Sequence, residues 1–310
     1  AGIAGVLWTG LGLVSSYVLG LRLLEGRPRD QRLSPSAIGP RTLALLGPLS
    51  LLASTVTWDN ALFVEIYAPL SALTLSGVTA ALHHRRWLAA TCFLWAGLVH
   101  PGAWALVPGL LLFAEERSLR SWSAPLTSAV LLYALALLSL YPDWWNGGRG
   151  LADLPPSDQD LWPALQSLWR LLSDDLGPAS LPALLALPLL SRRRLMGFAL
   201  VVLASAVLLC RYSDNPGGLP ALWVLLSCAP LVGRALDALS SAQLRAAWGL
   251  LIVLLLIFGI GDATSAHDAR ARAAEARDRA WVTAGCEHPS AAEASWAERQ
   301  LRILACRSGS

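Results

Sequence analysis

The chain has no lysine: all 24 of its basic residues, over 310 positions, are arginine. That fits a compositional bias as readily as a functional choice. Charge of either sign is scarce, at 15% of residues against 55% apolar and a mean hydropathy of +0.51. A soluble chain of this size would have too little polar surface to stay in solution, so the bilayer must be its solvent. A phosphate loop, a zinc-binding helix and a nucleophile elbow are also missing, which removes the usual signals of soluble enzymes. No internal repeat of convincing period is present, and the cysteines show no metal spacing. The net charge of +3 and pI of 8.7 add little, because the basic residues are dispersed over loops and form no stripe with interleaved aromatics, and no nucleic-acid partner is expected. At Ala1 the chain opens on an apolar run without a charged n-region, unlike a signal peptide. It is expected to be a piece of a longer protein, with Arg307-Ser-Gly-Ser310 as a second cut.

What the chain does have is apolar runs. Segments that could bridge a hydrocarbon core of about 30 Å lie at 1–24, 42–57, 66–82, 87–100, 102–114, 123–141, 179–190, 195–210, 219–236 and 246–261. Those at 87–100, 102–114 and 179–190 are short, and are expected to be tilted, half-crossing or extended by their flanks. The fold class expected is all-α: a polytopic transmembrane bundle of about ten spans over 1–261, then a short helical tail, 262–310, on the outer face. In that tail the Ala/Trp/Leu spacing suggests two amphipathic helices around a break at Gly285–Pro289.

Arginines give the orientation. The loop Arg27–Arg41 is basic, and if it is cytoplasmic, alternation puts His83–Arg86, Glu115–Arg120, Arg192–Arg194 and Arg234–Arg245 on the same side. The opposite side receives the acid-rich loop 142–178, with Asp143, Asp153, Asp158, Asp160, Asp174 and Asp175. Arginine excess on alternate loops is the positive-inside signature. The outer, periplasmic face of a bacterial inner membrane is then expected to carry loop 142–178 and the tail. Within that loop Leu161, Leu165, Leu168 and Leu172 share a helical face beside Trp162 and Trp169, as in a helix lying in the interface.

Cys92, Cys210 and Cys228 lie in or beside apolar spans and read as small core residues. Cys286 and Cys306 could bridge in an oxidising compartment. A capping box at Ser290-Ala-Ala-Glu293 opens a helix that would hold them about 20 Å apart, which disfavours the bridge.

Several outer-side residues are candidates for chemistry. Glu65 stands in Ser54-Thr-Val-Thr-Trp58-Asp-Asn-Ala-Leu-Phe-Val-Glu65-Ile-Tyr67. An acidic residue at a span centre costs about 2.5–3.5 kcal/mol, less near the interface. Glu65 therefore either faces a water-filled cavity or a partner, or is an ordinary loop carboxylate in water. Trp58 and Tyr67 are belt aromatics or ligand contacts, and Asp59 is a turn residue or a base. His100, in Gly97-Leu-Val-His100-Pro-Gly-Ala-Trp104, either donates to a phosphate or exchanges a proton near neutral pH, or simply ends a helix before proline. Arg211 breaks the charge rule by standing on the outer side. It could clamp a phosphate bidentately, pair with Asp214, or snorkel to headgroups. Trp144 and Trp145 could stack on a sugar ring or anchor the headgroup region. His83 and His84 belong to a solvated cytoplasmic turn. No metal ligand and no cofactor is assigned.

The order Trp58, then Glu65-Ile-Tyr67, a basic inner turn, and Gly97-Leu-Val-His100-Pro101 resembles the GT-C superfamily of integral-membrane glycosyltransferases. It is most similar to the bacterial branch related to protein O-mannosyltransferases. The match covers about residues 1–115, and later spans agree only in topology. The resemblance implies transfer of a sugar, with inversion, from a polyprenyl-phosphate carrier to a protein or glycan acceptor on the outer face. It implies that Glu65, Tyr67 and His100 line the cavity and that loop 142–178 helps to cover it. The family's catalytic carboxylate sits in the first outer loop after an earlier helix. That base is expected upstream of Ala1, and the chain alone is expected to be inactive. Three other classes share some of these features. A lipid-linked polysaccharide polymerase or ligase would place several arginines in the long loop, where only Arg149 and Arg170 occur. A transporter or flippase would show inverted repeats and charges at span centres, and neither is clear. A non-catalytic scaffold would use the tail for a partner.

Overall fold

The computed structural model describes residues 2–25, 39–54, 57, 67–114, 119–140, 161–166, 180–211, 217–237, 242–243 and 246–261, with 264–265, 269 and 272 beyond them. These are helix and turn, with no strand among the described residues. The chain divides into two units, Ala1–Ala263 and Thr264–Ser310; the helices below all belong to the first.

In chain order they are α1 (Gly2–Glu25), α2 (Pro40–Ala44), α3 (Leu46–Leu52), α4 (Tyr67–Leu82), α5 (Arg86–Val99), α6 (Ala103–Phe113), α7 (Ser123–Leu140), α8 (Ser180–Ala186), α9 (Arg192–Arg211), α10 (Gly218–Leu226), α11 (Pro230–Asp237) and α12 (Ala246–Gly261). Among the described residues, three stretches are long and apolar enough to cross a bilayer: Ile3–Glu25, Arg192–Cys210 and Gly218–Leu236. The helices Tyr67–Leu82, Arg86–Val99, Ala103–Phe113, Ser123–Ser139 and Ala246–Gly261 are apolar but shorter.

Prolines explain where the expected spans are interrupted. Pro48 has no N–H to give to the Ala44 carbonyl, and the expected span 42–57 turns at Leu45, separating α2 from α3. Pro230 likewise cannot bond back to Leu226, and 219–236 tightens at Ser227–Ala229 through Cys228 N–H to Leu225 O (2.9 Å) and Ala229 N–H to Leu226 O (3.1 Å). The apolar run 179–190 forms only the seven residues of α8 and a 3-10 turn at Leu187–Leu189. Of the expected interfacial helix, 161–166 is helical, with Leu161 and Trp162 exposed; the remainder, 167–176, lies outside the described residues.

α10 is the axis of the bundle. All nine of its residues are buried, and α3, α4, α8 and α9 pack around it. α1 joins them at Gly12, where a Cβ would collide with the Trp223 ring. Glycine makes the same kind of approach elsewhere. A Cβ on Gly109 would lie 2.8 Å from the Gly197 carbonyl oxygen, and one on Gly197 would collide with the Phe113 backbone nitrogen, so α6 and α9 touch backbone to backbone. A Cβ on Gly77 would meet Phe93 at 2.5 Å where α4 crosses α5. Hydroxyls supplement these contacts: Ser16 and Ser227 are hydrogen-bonded at 2.7 Å, and Ser15 and Ser76 at 2.8 Å. Large apolar side chains point outward instead, among them Leu7, Val14, Leu131, Leu135, Val207 and Phe258. Such surfaces suit lipid.

Contacts also fix direction. Ser15 meets Ser76 and the Arg22 Nε–H donates to Leu82 O at 3.4 Å, so α1 and α4 run in the same sense. Gly20 meets Pro230 and Arg234 Nη1 donates to Leu24 O, so α10–α11 runs with them. Phe113 lies at Gly197 and Gly102 at Leu208, so α6 and α9 are antiparallel. Arg22, Arg41, Arg85, Arg86, Arg192, Arg193, Arg194 and Arg234 consequently gather at one end. Two of them close helix C-termini, where carbonyls lack intrahelical donors and the dipole favours a cation. At the same end α4 finishes in a Schellman motif: Arg85 N–H reaches Ala80 O at 2.9 Å, His84 N–H reaches Ala81 O at 2.9 Å, and His84 takes the left-handed position at φ 57°.

Replacing Gly197 by alanine is expected to lower stability by about 1–3 kcal/mol through overpacking, read as a drop in thermal midpoint in detergent. Gly10→Ala, where a Cβ meets nothing within 4 Å, should be neutral or stabilising by up to about 1 kcal/mol. Equal midpoints for the two variants would rule out the α6–α9 backbone contact.

His83, exposed in the α4–α5 turn, titrates below the ordinary histidine value of 6.5. Partial burial contributes most and the Arg22 guanidinium next; Arg85 and His84 act in the same direction and Glu25 against them. Above 6.5 both folded and unfolded chains hold it neutral. As pH falls through 6.5 the unfolded chain binds a proton that the folded one resists, so stability declines until the folded pKa is reached. An NMR titration should find the midpoint below 6.5 in the wild type and higher in Arg22→Gln; a wild-type midpoint at or above 6.5 would contradict the assignment.

Candidate functional site

The end of the bundle opposite the arginine cluster carries the described candidates. Tyr67 opens α4 and packs in one apolar cluster with Leu70, Ala96, Val99 and Ala103, where α4, α5 and α6 meet. His100 closes α5, its N–H donating to Ala96 O at 2.9 Å, and its carbonyl accepts from Ala103 N–H at 3.0 Å. Pro101 disfavours helical geometry in the residue before it, and His100 is extended at φ −151° and ψ 122°. Its Nδ1 accepts the Gly102 N–H at 3.0 Å, satisfying a donor at the start of α6. With Nδ1 accepting, the proton of the neutral ring resides on Nε2. The same turn abuts α9, since a Cβ on Gly102 would lie 3.1 Å from Leu208 Cδ2. Arg211 is the last residue of α9 and so ends that helix at the same level. Its backbone is described and its side chain lies outside the described residues.

Of the sequence candidates, the fold thus brings Tyr67, His100 and the Arg211 end of α9 to one end. Trp58, Asp59, Glu65, Trp144 and Trp145 lie outside the described residues, as do Cys286 and Cys306. His83 and His84 are at the opposite end, exposed.

Other residues at this end are absent from the sequence candidates. Gly97 is where Trp104 packs, because a Cβ there would collide with Trp104 Nε1. The Trp104 ring in turn meets Tyr133 of α7 edge to face, at 5.6 Å and 62°. Trp104 Nε1 is buried with no hydrogen-bond partner among the described residues, and so are Thr9 Oγ1 on α1 and Ser71 Oγ on α4. Counting back from the Ser15–Ser76 bond puts Thr9 and Ser71 at similar depth toward this end. A buried polar group left unpaired costs about 1–3 kcal/mol. The signal available in sequence was a hydroxyl inside an apolar run. Buried atoms without a hydrogen-bond partner among the described residues also occur elsewhere in the bundle, at Ser50 Oγ, Trp122 Nε1 and Trp223 Nε1, and ordered water commonly satisfies such groups. Among the described residues no set of three or more His, Cys, Asp or Glu gathers to hold a metal ion.

Comparison with protein-family models, with curated proteins and with solved structures finds no match to this chain.

Two substitutions separate the roles of His100. Asparagine can still accept the Gly102 N–H through its side-chain oxygen, whereas alanine cannot. His100→Ala is expected to lose about 1 kcal/mol and His100→Asn much less, measured as thermal midpoints in detergent. Equal losses would show that the Nδ1 bond does not hold the turn.

Proposed function

We propose that this chain is the membrane part of a glycosyltransferase. It takes a sugar from a polyprenyl-phosphate donor and passes it to a protein or glycan acceptor at the face opposite the arginine cluster, the periplasmic side of a bacterial inner membrane. The observation that carries the reading is the convergence of Tyr67, the His100 turn and the Arg211 end of α9 at that face. Unpaired buried hydroxyls of Thr9 and Ser71 lie toward the same side.

The chemistry asked of such a site is modest in kind and demanding in placement. The departing carrier phosphate needs cationic and hydrogen-bonding partners that are already oriented. Arg211 carries a planar, always-charged fork suited to phosphate oxygens, and the His100 imidazole is held at the same end by the Gly102 N–H at its Nδ1. Glu65 stands two residues before Tyr67 in the chain and is assigned to the cavity that holds the carrier phosphate and donor sugar. Exposed apolar surface on α7 and α9 lets the prenyl tail remain in lipid while its phosphate reaches the face.

Glu65→Gln in the full-length protein, reconstituted in vesicles with a polyprenyl-phosphate-linked sugar, is expected to abolish transfer while the helical content and thermal midpoint of the wild type are kept. Undiminished transfer would remove Glu65 from the mechanism. Absence of donor turnover by the full-length wild type, whatever the acceptor, would sink the glycosyltransferase reading itself.

A further inference from the structure

An apolar cleft of about 250 Å³ opens at the arginine-rich end, between α2–α3, α11 and α12. Leu43, Leu46 and Leu49 form one wall and Ile252 the other, with Gly233 and Gly249 widening it. It is below the roughly 300–1,000 Å³ of sites for drug-sized ligands, and far too narrow for a helix about 10 Å across. Part of a hydrocarbon chain fits. Leucine and isoleucine walls give water nothing to bond to, so the occupant is apolar along its length.

Its mouth is not apolar. Thr42 lines the cleft, and the preceding residue, Arg41, is exposed. Arg22, Arg192, Arg193, Arg194 and Arg234 belong to the same end, which makes it the basic end of the described helices. An amphiphile seated here would place its chain among the leucines and its headgroup at the arginines, and an anionic headgroup is the one that complements them. The carrier phosphate of the proposed reaction belongs to the opposite end. We propose that this cleft binds an acyl chain of an anionic phospholipid from the arginine-side leaflet, with its phosphate held at Arg41.

The glycine at 249 supplies the test. A Cβ there meets nothing within 4 Å, so Gly249→Phe can send its ring into the cleft without displacing protein. The chain would be reconstituted in vesicles of phosphatidylcholine with phosphatidylglycerol as the minor lipid, extracted in mild detergent, and the retained lipid identified by native mass spectrometry. Wild type is expected to retain phosphatidylglycerol in preference to its share of the bilayer. Gly249→Phe loses the bound lipid, and Arg41→Gln keeps a lipid but loses the preference. Leu45→Trp, from an exposed position on the cleft wall, repeats the blockade if the first variant does not fold. Retention by the blocked variants equal to wild type, or wild-type lipid that mirrors the bilayer composition, would overturn the assignment.

Discussion

Apolar side chains gain little by leaving hydrocarbon for one another, so helices in a bilayer hold together through close packing and hydrogen bonds. Here α6 and α9 pack backbone against backbone where they cross, and they do so because residues 109 and 197 are both glycine. Much else depends on such approaches. Gly12 lets α1 sit against Trp223, and Gly47 brings α3 against Ser16 and Ser227, whose own hydrogen bond joins α1 to the break before α11. The buried axis at α10 is the sum of these fits, and the His100 turn keeps its place because Gly102 lies flat between the imidazole and Leu208.

The bundle is also electrically polar along its axis. Arginines at one end do more than mark a side of the membrane, because Arg22 and Arg234 occupy the carbonyls at which α4 and α1 finish. A helix ending in lipid without such donors would leave polar groups unpaired at considerable cost. The other end finishes its helices differently. There a histidine nitrogen, a proline and a glycine make the turn, and among the described residues of the bundle Arg211 is the cation at that end.

Much of the helical layout was legible because a long apolar run in a charge-poor chain has few alternatives to a buried or lipid-facing helix. The arginine clustering was legible for the same reason. Three things were hidden. Hydropathy does not tell a lipid-facing leucine from a protein-facing one, so nothing marked Gly218–Leu226 as wholly enclosed. Interruptions at Leu45 and Ser227–Ala229 follow from Pro48 and Pro230, which composition-based span counting passes over. The partners of Gly97 and Gly109 are distant or unmarked in sequence, and a glycine inside an apolar run reads as neutral until its neighbour is known. At the candidate site, the helix-ending part of His100 was readable from the proline after it. The Nδ1 bond and the unpaired hydroxyls of Thr9 and Ser71 depend on tertiary position and were not.

The buried axis has a consequence for how the molecule is made. Ser16 and Ser227 are 211 residues apart in the chain, so α1, α3 and α4 emerge from synthesis long before the helix they enclose. Until then the face that will receive Trp223 has only lipid or the insertion machinery to cover it. Ser15 can already pair with Ser76, whereas Ser16 must wait for Ser227. Assembly is therefore a closing event set by the arrival of the last third of the chain, and the nascent bundle must hold an open groove that only its own late segment fills.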